Sequence, residues 1–291
     1  MLKPEVDSLV PHVPFDRRTF IKATLSSGFA AAVLPVSAQT IHTGSEGLEA
    51  GEISVRSGQA SIPAYRAQPH GRTRLPVIVV VHEIFGVHEH IKDICRRLAK
   101  LGYLAIAPDL FAREGDASKY PSIQRLMNDL VSRVSDPQAL EDIDATFAWA
   151  GKHGGDLKRA GLTGFCWGGR MAWLYAEHNA RLKAVVAWYG MVTGEHSVMK
   201  PANPVDRVAQ LHVPVLGLYG RQDTSIAQDT LAQMKTAIAQ QAPQAGRASQ
   251  IVVYDDAGHA FFADYRPSYR KADAEDAWRR AIAWFRGHGV G

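Results

Sequence analysis

The stretch Ala160-Gly-Leu-Thr-Gly-Phe-Cys-Trp-Gly-Gly-Arg170 decides the fold. Its first half is typical of a short apolar strand, and its second half of a helix that begins near Trp167. Gly164 and Gly168 stand two residues before and after Cys166, which is the spacing of a nucleophile elbow with cysteine in the place of serine. Such a turn is so sharp that neighbouring side chains would clash, whereas glycine tolerates the close backbone approach.

Cys166 is predicted to stand at the amino end of this helix. The helix dipole places partial positive charge there, so the thiolate is favoured over the thiol. The same local pattern also fits a buried structural cysteine on a strand-to-helix turn. Only the partners of a nucleophile, found elsewhere in the chain, can distinguish the two interpretations.

The chain contains a second cysteine, Cys95, and no others. In the segment 90–101, Ile91, Ile94 and Leu98 recur with Cys95 on one face of a predicted helix. We therefore expect Cys95 to be a small core residue. In an oxidising compartment two cysteines could instead form a disulfide, but a working nucleophile must stay reduced.

The composition is that of a globular protein. With 291 residues, 46% of them hydrophobic, the chain can bury one large core. A formal net charge of +4 without a basic run gives no reason to expect nucleic acid as a partner. No run of eighteen apolar residues occurs, so no permanent membrane anchor is expected.

Residues 1–38 have the pattern of a twin-arginine signal peptide. Asp16-Arg-Arg-Thr-Phe-Ile-Lys22 precedes a moderately apolar segment, 23–36, and Val36-Ser-Ala38 offers small residues to a signal peptidase. We expect the folded protein to pass through the twin-arginine (Tat) export machinery, to be cleaved after Ala38, and to reside in the periplasm or outside the cell. The alternative is an amphipathic surface helix.

Strand and helix patterns alternate along residues 51–291, which predicts a single domain behind a solvated lead-in, 39–50. A hairpin is expected first, and residues 111–135 are expected to form an excursion over the top of the sheet. Apolar runs predict buried strands at 76–81, 103–107, 160–165, 183–189, 213–219 and 250–254. Because helical segments lie between them, we expect an α/β fold: a mostly parallel sheet with helices on both faces.

Three side chains come shortly after three of these strands: Cys166, Asp223 and His259. In open α/β sheets, functional residues collect beyond the carboxyl ends of the strands. A cysteine nucleophile needs a histidine that accepts its proton and an acid that orients the histidine. The order nucleophile, acid, histidine is that of the α/β-hydrolase fold. We therefore predict this fold with a Cys166-Asp223-His259 triad, although Asp223 alone could be a helix cap and His259 alone a loop histidine.

With these residues in place, the chain resembles the dienelactone hydrolase (carboxymethylenebutenolidase) family. The resemblance spans roughly residues 50–290 and is closest to the exported, twin-arginine-signalled members. It is carried by five blocks: His82-Glu-Ile-Phe-Gly86, Ala107-Pro-Asp-Leu-Phe-Ala-Arg113, Gly164-Phe-Cys-Trp-Gly-Gly169, Gly220-Arg-Gln-Asp223 and Gly258-His-Ala-Phe261. The resemblance implies hydrolysis of ester or lactone bonds in small molecules without a cofactor.

The resemblance also implies roles for particular residues. It implies that Glu83 meets the nucleophilic cysteine and helps to deprotonate it when substrate binds; until then a neighbouring carboxylate opposes ionisation of the thiol. The chemistry predicts an oxyanion hole from the backbone N–H of Trp167 and one N–H in the loop after strand 76–81, and the resemblance points to Ile84 for the second. Arg113 matches an arginine that holds a substrate carboxylate, a contact suited to a guanidinium.

The chain departs from the best-known dienelactone hydrolase pattern in its pocket. Ala263 stands where a second substrate-binding arginine is expected, and Ala117 where a tyrosine is expected. Arg266 could supply a guanidinium from a shifted loop. Phe261 and Phe262 predict a more apolar pocket. These departures leave the hydrolase chemistry intact but not the assignment of a dienelactone as the substrate.

Three functions stay open at this point. The first is an ester or lactone hydrolase, the second a broader carboxylesterase or thioesterase acting on uncharged acyl groups, and the third a binding module without catalysis. The complete triad argues against the third. No metal site is predicted from His82, His88 and His90, because Gly86 stands where a zinc motif requires a histidine and the block follows a strand.

Overall fold

The computed structural model describes residues 40–291, so the predicted signal peptide lies outside the described residues. Eight strands form one sheet. They are β1 (Leu48–Ser57), β2 (Ala60–Pro69), β3 (Leu75–Val81), β4 (Leu104–Pro108), β5 (Gly155–Phe165), β6 (Ala184–Trp188), β7 (Val215–Gly220) and β8 (Gln250–Tyr254).

Helices connect the parallel strands. They are α1 (Glu89–Lys100), α2 (Ile123–Asp129), α3 (Asp136–Lys152), α4 (Trp167–His178), α5 (Gln228–Gln241), α6 (Gln244–Arg247) and α7 (Lys271–Gly287). Short 3₁₀ helices occupy Ala117–Lys119, Val131–Arg133 and Pro204–Gln210. No helix among residues 40–291 is long and apolar enough to cross a membrane.

The strand order is β1-β2-β4-β3-β5-β6-β7-β8. The strands from β4 to β8 in this order pair in parallel, whereas β1 and β2 add an antiparallel hairpin at one edge. Every residue of β3 and β6 is buried. Because successive side chains of a strand point to opposite faces, both faces of the sheet centre are covered. This is the α/β-hydrolase architecture that the alternating sequence pattern predicts.

The lead-in is shorter than the predicted 39–50, because β1 already begins at Leu48. It is also tied to the domain: the Thr43 backbone N–H donates to Asp93 Oδ1 at 2.6 Å, and Arg96 Nε donates to the Thr43 carbonyl at 2.7 Å. The first half of β1 lacks the apolar alternation of a half-buried strand because it lies at the sheet edge, where its residues are not fully buried.

The predicted excursion 111–135 is a folded segment. It contains α2 and two of the 3₁₀ helices, and it buries Leu126, Leu130 and Val131 in the core. Apolar burial of this kind holds the segment against the domain.

Candidate active site

The elbow has the strained geometry that its glycines predict. Cys166 adopts φ 55° and ψ −115°, a region that residues other than glycine rarely occupy. A Cβ at Gly164 would lie 2.0 Å from the Gly168 carbonyl oxygen, and a Cβ at Gly168 would lie 2.4 Å from that of Val81. Only glycine fits either position, and the turn places the Cys166 side chain at the amino end of α4.

The structure brings the three predicted triad residues together. His259 Nε2 lies 3.1 Å from Cys166 Sγ, and His259 Nδ1 lies 2.7 Å from Asp223 Oδ2. Their exposed fractions are 8% for Cys166, 5% for Asp223 and 6% for His259. The residues come from the carboxyl ends of β5, β7 and β8, so the parallel sheet is what aligns them.

The charges in this row favour a protonated histidine. Burial disfavours the imidazolium of His259, but the carboxylate of Asp223 and the neighbouring Cys166 outweigh it, so the pKa of His259 is raised well above its usual value.

The two backbone N–H groups predicted for an oxyanion hole belong to Trp167, the residue after Cys166, and to Ile84, in the loop after β3. Trp167 is the first residue of α4, and Ile84 follows β3, whose last residue, Val81, pairs with Gly164 of β5. Within residues 40–291, neither N–H donates a hydrogen bond to a protein acceptor. Both donors are thus free for an oxygen atom outside the protein, as an oxyanion hole requires.

Glu83 is fully buried next to the elbow. The Tyr265 hydroxyl donates to its Oε2 at 2.6 Å, and Arg266 Nη2 lies 3.8 Å from the same oxygen. Burial opposes ionisation of this carboxyl, but the charge of Arg266 and the nearby His88 outweigh it, so the pKa of Glu83 is lowered. Glu83 is therefore a buried carboxylate.

In the described conformation the hydrogen bonds of Glu83 do not go to Cys166, which is expected to meet it when substrate binds. The hydrogen bond of the Cys166 thiol goes to His259, while Glu83 is held by Tyr265 and Arg266. The difference has an electrostatic reason, since the cation of Arg266 attracts the carboxylate more strongly than a thiol does. The second oxygen, Glu83 Oε1, is buried without a hydrogen-bond partner.

Arg113, predicted to hold a substrate carboxylate, forms an ion pair within the protein in the described conformation. Its Nε and Nη2 bind both carboxylate oxygens of Asp142 in α3, at 3.0 and 2.7 Å, and Nη2 also donates to the Ser57 carbonyl at 3.0 Å. Asp142 is only 1% exposed. The bidentate geometry that suits a substrate carboxylate is thus used to hold the segment after β4 against α3 and the β1–β2 turn.

The guanidinium beside Glu83 belongs to Arg266. It is buried, it lies 5.0 Å from the centroid of the Phe85 ring, and its Nε donates to the Tyr265 hydroxyl at 3.0 Å. Its charge interacts with both Glu83 and Cys166. Sequence spacing gave Arg266 little support because it stands seven residues after His259. The turns of the intervening loop bring it to Glu83.

The histidines of the block after β3 have separate partners. His82 donates from Nδ1 to the Glu83 carbonyl at 2.6 Å, and its Nε2 accepts from the Leu110 backbone N–H at 3.0 Å. It thereby joins the ends of β3 and β4. His88 and His90 face different carboxylates, and no group of histidine, cysteine or carboxylate side chains in residues 40–291 is arranged to hold a metal ion.

Phe261 and Phe262 pack in the core. Phe262 stacks on Phe165 and on Trp278, with ring centroids 5.6 and 5.7 Å apart. Phe261 contacts Tyr189, 5.7 Å between centroids, behind the triad. The sequence analysis predicts that both residues make the pocket more apolar. For Phe262 this is wrong, because its ring stacks on two other rings in the core.

Comparison with known proteins identifies the family of the chain. The model of the dienelactone hydrolase family matches residues 62–289. The chain belongs to the dienelactone hydrolase family. Because the match includes the elbow, both triad partners and Glu83, the family and the site coincide on the same part of the chain.

Curated relatives of this dienelactone hydrolase family member are similar over most of its length. A protein of Methylorubrum extorquens strain AM1 named "Putative carboxymethylenebutenolidase" is 52% identical over 288 residues, 98% of each chain. One of the same name from Escherichia coli K12 is 51% identical over 267 residues, 91% of this chain and 97% of that protein. The protein is therefore a hydrolase.

A solved structure shares both fold and sequence with it. The crystal structure named "Putative Dienelactone Hydrolase" from Klebsiella pneumoniae is 52% identical, with a TM-score of 0.79. The match covers 82% of this chain and 98% of that one. Since the α/β-hydrolase sheet and the family are thus shared, the fold expected from the sequence is confirmed.

Proposed function

We propose that this dienelactone hydrolase family member cleaves ester or lactone bonds of small molecules with Cys166 as nucleophile and without a cofactor. The row of contacts from Cys166 Sγ to His259 Nε2, 3.1 Å, and from His259 Nδ1 to Asp223 Oδ2, 2.7 Å, carries the proposal. His259 holds the thiol proton, and the sulfur attacks the carbonyl carbon. The N–H groups of Ile84 and Trp167 stabilise the oxyanion that forms.

The second half of the reaction uses the same residues. The carbon–oxygen bond of the substrate breaks, and the imidazolium of His259 gives its proton to the leaving alkoxide. This leaves an acyl group bound to Cys166 as a thioester. A water molecule then attacks the thioester as His259 accepts its proton, and the thiolate leaves, so that the acid and the free enzyme result.

Glu83 is proposed to assist the nucleophile. It is ionised, and its Oε1 has no hydrogen-bond partner among the described protein atoms, so a side chain turned toward Cys166 can accept the thiol proton and pass it to His259, which holds it during the attack. In the described conformation Arg266 and Tyr265 hold it in place. A substrate group that binds Arg266 would weaken this hold and release the carboxylate toward the sulfur.

The substrate class can be tested with two compounds. Purified protein beginning at residue 39 would be given a dienelactone that carries a free carboxylate and, separately, a neutral activated acyl ester. Faster turnover of the dienelactone supports an anionic ester or lactone as the natural substrate class. No turnover of any ester or lactone would contradict the proposed function.

One observation favours a second candidate, a carboxylesterase or thioesterase for uncharged acyl groups. The arginine expected to hold a substrate carboxylate, Arg113, is bound by Asp142. The alanines Ala117 and Ala263 are buried and offer no polar group in place of the tyrosine and arginine expected there. Turnover of the neutral ester alone would support this candidate and keep the triad.

Export through the Tat machinery is proposed from the N-terminal pattern. The twin arginines within 16–22 precede an apolar segment and small residues at 36–38. Mass spectrometry of the protein from its native host should find a mature N-terminus at Gln39 in the periplasmic fraction. An exported chain that still begins at Met1 would contradict cleavage.

A further inference from the structure

His82 is a buried histidine whose two ring nitrogens both bind the backbone. It follows β3 directly and is 0% exposed. The Leu110 N–H lies 3.0 Å from its Nε2. Because an amide N–H only donates, Nε2 is the acceptor and the proton of the neutral ring is assigned to Nδ1, which donates to the Glu83 carbonyl at 2.6 Å. Burial lowers the pKa of His82 more than the nearby Asp109 raises it, which keeps the ring neutral.

The carbonyl that His82 holds belongs to the same peptide group as the N–H of Ile84. No peptide bond among residues 40–291 is cis. In a planar trans peptide the C=O and the N–H point in opposite directions, so fixing the Glu83 carbonyl also fixes the direction of the Ile84 N–H. The Gly86 N–H adds a second, longer hydrogen bond to this carbonyl, 3.3 Å, within the turn. Donors on the carbonyl also polarise the peptide group and strengthen its N–H as a donor.

The ring of His82 also contacts the residue that carries the second N–H predicted for the oxyanion hole. Its plane lies 15° from that of the Trp167 ring, with centroids 5.6 Å apart. The Phe111 ring meets it edge to face, with centroids 4.6 Å apart. All three residues are buried, and rotation of the imidazole would break both of its hydrogen bonds. The ring is therefore held in one orientation, with Nδ1 on the Glu83 carbonyl.

We propose that His82 is a positioning residue whose Nδ1–H orients the Glu83–Ile84 peptide, so that the Ile84 N–H faces the oxyanion formed when Cys166 attacks. A donor held in place before the reaction needs no reorientation as negative charge develops. His82 itself transfers no proton, because each of its nitrogens already has a backbone partner. The inference rests on the proposed function, since the oxyanion exists only if Cys166 attacks a carbonyl carbon.

Two amide substitutions separate the two nitrogens. The side-chain amide of asparagine reaches the position of Nδ1, and that of glutamine reaches the position of Nε2. His82→Asn can still donate to the Glu83 carbonyl but loses the Leu110 contact. His82→Gln can still accept from the Leu110 N–H but loses the Glu83 contact. Each variant lacks the ring and one of its hydrogen bonds, so each is the matched control of the other.

The kinetics of a neutral activated ester measure the effect, well below the Tm of both variants. Attack of the sulfur and attack of water on the thioester both form an oxyanion, so we expect kcat of His82→Gln to fall about 10²-fold, with KM within about twofold of wild type. His82→Asn should keep kcat within about fivefold of wild type, because the donor to the Glu83 carbonyl remains. The alkaline limb of the pH profile should stay in place in both, since His82 is not the base.

Equal kcat values for the two variants would overturn the role of His82, whether both keep activity or both lose it, because the Nδ1 contact would then have no effect of its own. A shifted alkaline limb would overturn it as well. Cys166→Ala, measured alongside, separates this failure from the other. If it keeps wild-type turnover, the proposed function fails; if turnover depends on Cys166 while the two amide variants are equal, only the role of His82 fails.

Nitrogen-15 NMR of the His82 ring in the wild-type protein gives a test that does not depend on the folding of a variant. We expect the signals of a neutral ring with its proton on Nδ1 from about pH 6 to about pH 9. A proton on Nε2, or a ring that becomes protonated in this range, would contradict the hydrogen bond to the Glu83 carbonyl and with it the proposal.

Discussion

At the scale of single residues, the charge of Asp223 determines the protonation of His259. The imidazolium is buried, and only the carboxylate 2.7 Å away and the neighbouring sulfur make it favourable. Hydrolysis needs this proton for the leaving group. The working range of the enzyme on the alkaline side should therefore end where His259 loses its proton.

Asp223→Asn should lower kcat/KM about 10²–10⁴-fold, since the histidine loses both its orientation and its charge partner. It should also change the pH profile. Because Asp223 raises the pKa of His259, the substitution lowers that pKa, and the alkaline limb of kcat/KM moves to lower pH. Asp229→Asn, at an exposed site on α5, is the control and should leave the limb in place. A limb that stays or moves to higher pH would contradict this account.

The sequence could predict the site residues that stand in motifs, but not the partners that the fold brings to them from elsewhere in the chain. Cys166, Asp223 and His259 were predictable because each stands in a short motif after a strand, and strand ends are fixed by the fold. Arg113 matched a motif equally well, yet its partner Asp142 lies 29 residues away on a helix whose register the motif does not contain. Tyr265 was missed, and Arg266 was named only as a substitute from a shifted loop, because a loop rather than a motif brings them to Glu83.

At the scale of elements, the elbow depends on the contact of α4 with the end of β3. The backbone of Gly168 approaches the Val81 and His82 carbonyls so closely that a Cβ would lie within 2.5 Å of each. Neither strand nor helix can move away without breaking the β3–β5 pairing. The turn that carries Cys166 is thus fixed by the packing of two elements.

Gly168→Ala should therefore lower the free energy of unfolding by about 3 kcal/mol or more, because the new methyl group overlaps backbone atoms. Urea denaturation followed by circular dichroism measures it. Gly51→Ala in β1, where a Cβ would meet no atom within 4 Å, is the control, and its effect should stay within about 1 kcal/mol. Equal stability of the two variants would show that the close approach does not constrain the elbow.

The ion pair of Arg113 and Asp142 also connects separate elements, because Arg113 follows β4, Asp142 lies in α3, and Arg113 donates to the Ser57 carbonyl at the end of β1. Arg113→Ala leaves the nearly fully buried Asp142 without a counter-charge, and we expect a loss of about 2–3 kcal/mol of unfolding free energy, since Arg113 is itself partly exposed. Arg66→Ala removes a more exposed pair with Glu49 and should cost less than about 1 kcal/mol.

The substrate preference should not change in Arg113→Ala. The ratio of kcat/KM between an anionic and a neutral ester measures this preference. A selective loss of the anionic substrate in this variant would restore Arg113 as the substrate anchor and contradict its structural assignment.

At the scale of the whole molecule, the parallel sheet brings the residues of the candidate site together beyond the carboxyl ends of its strands. Strands β3, β5, β7 and β8 deliver in turn Glu83, Cys166, Asp223 and His259, which are far apart in the chain. The sheet itself was predictable because its central strands are buried on both faces and so are continuously apolar. The edge strand β1 was less predictable from the sequence, since its half-exposed residues resemble a loop.

The central claim is that Cys166 is the nucleophile, and the two cysteines of the chain allow a direct test. Initial rates of hydrolysis of a neutral activated ester would be measured for wild type, Cys166→Ala and Cys95→Ala, each shown to be folded by circular dichroism. We expect Cys166→Ala to lose at least about 10³-fold in kcat/KM, and Cys95→Ala, altered only in the core, to stay within a few-fold of wild type. A Cys166→Ala protein that keeps turnover within about tenfold of wild type would contradict the account.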